Sequence, residues 1–203
     1  MITAITLVAK VAGLLKIDNN SVDIARFRVY DGINYAHRFL LQTLPENQIV
    51  EGKKTVTGDL SAAVGSYQWP TDYIRVLRLW VSYSKPLNYR EAERGDVGPE
   101  SQLSLDARAT IMAPRYSTEV ERGFTISPKP TINVAAGLRL RYIYLLPAVT
   151  STQNSLFDDR WADIISFLAV SYCAKIESHD LQLSATMQDA AQKAIAMMIE
   201  GGQ

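Results

Sequence analysis

The residues best suited to chemistry are two histidines, one cysteine and an adjacent pair of carboxylates: His37, His179, Cys173, and Asp158 with Asp159. Zinc sites draw on three or four His, Cys or carboxylate ligands. Neither histidine has a second histidine, a cysteine or a carboxylate pair at metal-binding spacing, although Asp180 follows His179. Both read as surface or helix-end histidines. A cysteine nucleophile needs a base and an activating environment. Cys173 instead falls on an apolar helical stripe, where free cysteine packs as a small hydrophobe. Asp158 and Asp159 stand at a helix start, where negative charge meets the dipole, so capping fits better than acid–base work. The glycines spell neither GxGxxG nor GxxxxGK[ST], and no GxSxG occurs. No catalytic, cofactor-binding or metal-binding residue is expected, and the chain does not read as an enzyme.

Two other groups could recognise a partner. Tyr67, Tyr73, Tyr83, Tyr89 and Tyr116, with Trp69 and Trp80, are either a stacking surface for a ligand such as a glycan or packing residues of a sheet. The stretch Arg90-Glu91-Ala92-Glu93-Arg94-Gly95-Asp96 mixes both signs, whereas a nucleic-acid patch is more uniformly basic. It reads as a solvated loop, or as a polar docking loop toward a neighbouring subunit through Arg90, Glu91, Glu93 and Arg94. Lys and Arg total 21, as do Asp and Glu. A net charge of zero gives no global drive toward nucleic acid or an anionic membrane.

The elements that must position these residues follow from periodicity. Thr3 can cap a first helix to about Lys16, with Ile5, Val8, Ala12 and Leu15 on one face. A second helix over 21–44 carries Val22, Ala25, Val29, Ile33, Ala36, Leu40 and Leu44 at helical spacing. Gly32 weakens its middle and Pro45 ends it. Strands are expected over 49–57, more weakly over 60–69, then at 73–83, 111–116, 124–127 and 138–146, with 88–108 as a loop or short surface helix. On 73–83, alternation puts Tyr73, Arg75, Leu77, Leu79 and Val81 on one face. Leu138, Leu140, Tyr142 and Tyr144 should face the core. A third helix covers about 158–178 and a fourth 183–199. In the fourth, Ile195, Met197, Met198 and Ile199 put apolar groups on two sides. That points either to a partner surface or to a helix buried on two sides in its own domain. The fold class is α+β: an N-terminal helical pair (about 3–44), a central antiparallel β-sheet region (about 49–147, with the loop 88–108) and a C-terminal helical pair (about 158–199), in a single domain over 1–203.

One cysteine excludes an intrachain disulfide. The apolar run 2–15 is too short to span a bilayer and lacks signal-peptide features. A soluble, non-secreted protein without membrane attachment is the expectation.

This order resembles the head-to-tail adaptor, or connector, proteins of tailed bacteriophages. The resemblance covers about 21–199. It is carried by Thr55-Val56-Thr57-Gly58, by Tyr67-Gln68-Trp69-Pro70-Thr71-Asp72-Tyr73 leading into Arg75 to Val81, by Phe124 to Pro130, and by Leu140 to Pro147 followed by the helix from Trp161. The insertion at 88–108 departs from the pattern. The resemblance implies a non-enzymatic virion protein, made in the host cytoplasm and located in the neck. It implies a homo-oligomeric ring of twelve copies between the portal protein and the tail or nozzle proteins. The ring would extend a channel through which DNA passes without sequence-specific binding, and no cofactor is implied. An aromatic-lined binding module, an enzyme of unrecognised type and another neck or tail-completion protein are the competing readings.

Overall fold

The computed structural model describes residues 2–95, 113–118 and 122–201. The chain divides into two compact units: Met1–Gly52 with Leu145–Gln203, which is helical, and Lys53–Tyr144, which is built of strands. Helices at both ends around a central, mainly antiparallel sheet region make the class α+β.

The helical unit contains α1 (Ala4–Leu15), α2 (Ser21–Arg26), α3 (Val29–Thr43), α4 (Ala162–Cys173) and α5 (Leu181–Glu200). α4 packs against α1, α3 and α5. It buries Ile164, Ile165, Leu168, Ala169, Val170 and Cys173, as befits a helix that is apolar nearly all round. Thr3 caps α1, its Oγ1 accepting from the Thr6 amide at 3.2 Å. The buried face of α1 is Ala4, Leu7, Val8, Val11 and Ala12. Ile5, expected on that face, is 77% exposed. α1 carries two overlapping apolar stripes, and spacing alone could not choose between them.

The expected helix over 21–44 is two helices. Asn20 caps the first by accepting from the Val22 and Asp23 amides. The chain breaks at Phe27 and Arg28, where Arg28 is left-handed with φ 48°. The Arg28 guanidinium is tied to Asp31 at 2.9 Å and lies 3.7 Å from Glu177. From Val29 onward the predicted stripe is buried, through Ile33, Ala36, Leu40 and Leu44; before the break, Val22 is exposed. Asp158 does not cap α4. A 3-10 turn, Asp159–Trp161, precedes that helix, and the Asp158 carboxylate pairs with Arg160 at 3.0 Å. A π turn, Ala174–Ser178, ends α4. Asp180 then caps α5, two residues earlier than expected, by accepting from the Leu183 amide.

The other unit holds β1 (Lys53–Leu60), β2 (Ser66–Gln68), β3 (Tyr73–Val81), β4 (Arg90–Glu91), β5 (Glu93–Arg94), β6 (Arg115–Ser117), β7 (Gly123–Ser127) and β8 (Val134–Tyr144). They form two four-stranded sheets, ordered β1-β8-β3-β4 and β2-β7-β6-β5. The β5–β6 pair is parallel. One core joins both sheets, with Leu79, Val81, Leu138, Leu140 and Tyr142 from the first and Tyr116, Phe124 and Ile126 from the second. Leu138, Leu140 and Tyr142 face the core as their alternation predicts. On β3, simple alternation fails. Register shifts between Tyr73 and Arg75 and between Val76 and Arg78 put Val76, rather than Arg75 or Leu77, against the core.

Candidate assembly surfaces

The segment expected to be a loop is partly strand. β4 pairs with β3 in one sheet and β5 with β6 in the other, so 90–94 crosses between sheets. Ala92 anchors the crossing: it is buried and its amide donates to the Leu79 carbonyl at 2.7 Å. The Glu93 amide donates to Pro114 O, and the Gly95 amide to Tyr116 O. Arg90, Glu91, Glu93 and Arg94 are therefore held on fixed backbone with exposed side chains. Arg78 lies 3.8 Å from Glu91, and Arg94 donates to Thr118 Oγ1 at 3.3 Å. The rest of the expected loop, 96–108, and residues 111–112 of an expected strand lie outside the described residues.

α5 is the second predicted contact element. It seats Ser184 against Ser171 of α4, with the Ser184 hydroxyl donating to the Ser171 carbonyl at 3.0 Å. Only Ser184 and Ala191 of its twenty residues are buried. Ile195, Met198 and Ile199 are half-buried, and Met197 is 71% exposed. α5 is thus not buried on two sides in its own unit. Its last two turns leave apolar surface that a partner could cover.

Several of the aromatic residues, Tyr67, Trp69, Tyr73, Tyr83 and Tyr116, are used in packing the core of the sheet unit. Trp69 stacks with Tyr73 and with Phe124, each ring centroid 4.3 Å away. Tyr67 stacks on the same phenylalanine at 5.7 Å. The hydroxyls are used as well: Tyr67 donates to Val64 O, Tyr73 accepts from the Val76 amide and Tyr83 donates to Pro128 O. Trp69 is thus engaged by two rings of its own unit and contributes to the packing of the sheet region. Asp72 completes the corner. Tyr142 donates to its Oδ1 at 2.8 Å and Lys54 to its Oδ2 at 3.2 Å. Burial pushes this carboxyl up, but the hydrogen bonds outweigh it and hold the group below its ordinary range. The Trp-Pro-Thr-Asp-Tyr run is a structural corner joining β1, β3 and β8.

Cys173 is buried, and burial pushes its thiol up to about 12, which leaves it protonated and inert. His179 is exposed at the left-handed turn before α5. His37 departs from its surface reading. It is 3% exposed, its Nε2 lies 3.0 Å from Ser155 Oγ, and burial lowers it to about 4. It sits one position beyond the stripe residue Ala36, so the pattern of α3 does carry a signal for its burial. Among the described residues, no group of three or more His, Cys, Asp or Glu side chains could hold a metal, and no helix is long and apolar enough to cross a membrane.

A family model described as SU10 adaptor protein matches residues 2–203. No curated protein matches the chain.

Proposed function

The chain belongs to the SU10 adaptor protein family, in agreement with its sequence resemblance to phage head-to-tail adaptors, and we propose that it forms a ring joining portal to tail in the virion neck. The match across 2–203 carries this reading, because both the helical unit and the sheet unit fall within the adaptor pattern. In the proposed assembly, twelve copies close through one repeated heterologous contact, the portal docks on one side and tail or nozzle proteins on the other. The ring extends the DNA channel and does no chemistry.

The proposed contact elements are the crossing at Arg90, Glu91, Glu93 and Arg94, and the end of α5 at Ile195, Met197, Met198 and Ile199. The first offers exposed charges of both signs on fixed backbone, which suits a polar contact that sets register. The second offers adaptable apolar side chains that its own unit leaves half-covered. Deleting Ala194 to Gln203 should weaken association with the portal by roughly tenfold or more. The thermal unfolding of the truncated chain should stay cooperative. Co-sedimentation with purified portal, read beside a circular dichroism melt, tests this. Global unfolding of the truncated chain, or undiminished portal binding, contradicts it.

A further inference from the structure

Beside the starts of α1 and α4, the helical unit has an open cavity of about 220 Å³, lined by Val50, Glu51, Leu146, Leu156, Phe157 and Asp158. The backbone is tied together at this end. The Ile2 amide donates to the Phe157 carbonyl at 3.2 Å and the Ser155 amide to the Ile2 carbonyl at 3.1 Å. Leu146 and Phe157 are buried, Leu156 is half-buried, and Val50 and Glu51 are exposed. Four apolar side chains thus form a pit that also holds two carboxylates. Asp158 Oδ2 accepts from Arg160 Nε at 3.0 Å, and the Asp158 side chain is 45% exposed. Its Oδ1 is buried and accepts no hydrogen bond among the described residues. A buried acceptor without a donor costs stability. A donor entering the cavity from another chain would satisfy it after a small rotation of the carboxylate.

Apolar walls and carboxylates together suit a lysine, whose methylene stem packs on hydrocarbon while its ammonium reaches a charge. Arginine suits the site less well. Its fork takes both oxygens of a carboxylate, and Arg160 already holds Asp158 Oδ2. The lysines of this unit are Lys10, Lys16, Lys175 and Lys193. Lys10 is tied to Asp163 at 2.7 Å and Lys193 to Asp189 at 2.6 Å. Lys16 and Lys175 are exposed where α1 and α4 end. Each of these helices has 12 residues, so each lysine stands about 18 Å along its helix from the cavity end. An acidic receptor where the helices begin and exposed ammonium groups where they end are the two halves of a heterologous contact, which repeats from copy to copy.

We propose that this cavity receives a lysine of a second copy of the chain, Lys16 or Lys175. The stem lies along Leu146, Leu156 and Phe157. Glu51, exposed at the mouth, draws the ammonium in, and Asp158 Oδ1 accepts from it. The proposal rests on the adaptor reading, in which identical copies stand side by side around a ring.

The test is zero-length carbodiimide coupling, which joins a carboxylate to an amine where the two touch. An equal mixture of ordinary and heavy-nitrogen-labelled full chain is coupled, alone and assembled on the portal, then digested for mass spectrometry. The expected product is a mixed-label peptide pair joining Glu51 or Asp158 to Lys16 or Lys175. Glu51→Gln combined with Asp158→Asn should raise the concentration needed for half-assembly about fivefold. Lys16→Gln combined with Lys175→Gln should do the same. All four changes together should add little, as partners in one contact do and as misfolding does not. Absence of the mixed-label link, a link from the cavity to the portal instead, or effects of the two variants that simply add overturns the proposal. A ring that lacks the link overturns this inference alone; the link in copies that never join the portal overturns the adaptor reading alone.

Discussion

Acidification from about pH 7 to pH 4 is expected to cost the helical unit about 3 kcal/mol through His37 alone. The imidazole is buried on α3 beside Phe157, whose ring centre is 5.0 Å away. Its polar partner is Ser155 Oγ, which also accepts from the Phe157 amide at 3.1 Å. Desolvation penalises the charged ring and lowers it from its ordinary 6.5 to about 4. The unfolded chain therefore takes up a proton at a higher pH than the folded one. The His37 contribution is fully present above about 6.5 and is lost as pH falls toward 4. Chemical denaturation at several pH values checks this. His37→Gln keeps a neutral hydrogen-bonding side chain and should flatten the profile in that window. Equal acid losses in wild type and variant would rule out His37 as the cause.

Gly32→Ala is expected to lower the unfolding free energy by about 2 kcal/mol. On an open helix surface the same change would stabilise by roughly 1 kcal/mol, since alanine is the better helix former. Here α3 crosses α4 at close range. A Cβ on Gly32 would stand 2.9 Å from the Ala169 carbonyl oxygen and 2.9 Å from Cys173 Sγ. The first is backbone and cannot move without shifting α4, the central helix of the unit. Overpacking of this kind costs about 1–3 kcal/mol and outweighs the gain in propensity. An unchanged or raised midpoint in urea would mean that the two helices separate freely.

The order of helices, strands and helices was legible because each long element carries its own period. α3 keeps one stripe and β8 one alternation over several turns or residues, and α4 is a long apolar run. What escaped has identifiable causes. The break at Arg28 depends on a left-handed backbone held by Asp31 and Glu177, and Glu177 is distant in sequence. Two bulges in β3 swap Val76 for Arg75 and Leu77, and no local residue marks them. Residues 90–94 are too short and too charged to announce strands; the clamp at Ala92 comes from β3. Gly32 looked like a weak point of a helix because the partner backbone it admits is over a hundred residues away. The apolar run at 195–199 and the mixed charges at 90–94 are properties of single segments; in the first Met197 is exposed and Ile195, Met198 and Ile199 are half-buried, and in the second Arg90, Glu91, Glu93 and Arg94 are exposed.

Adaptor assembly is the central claim, and a single preparation tests it. Purified chain mixed with its portal should give particles that carry one added ring, seen by negative-stain imaging. Native mass measurement of the same particles should add twelve copies of the 22.6 kDa chain. The protein alone is not decisive, because a ring can await its portal. A chain that stays monomeric with both the portal and the tail components present would contradict the account.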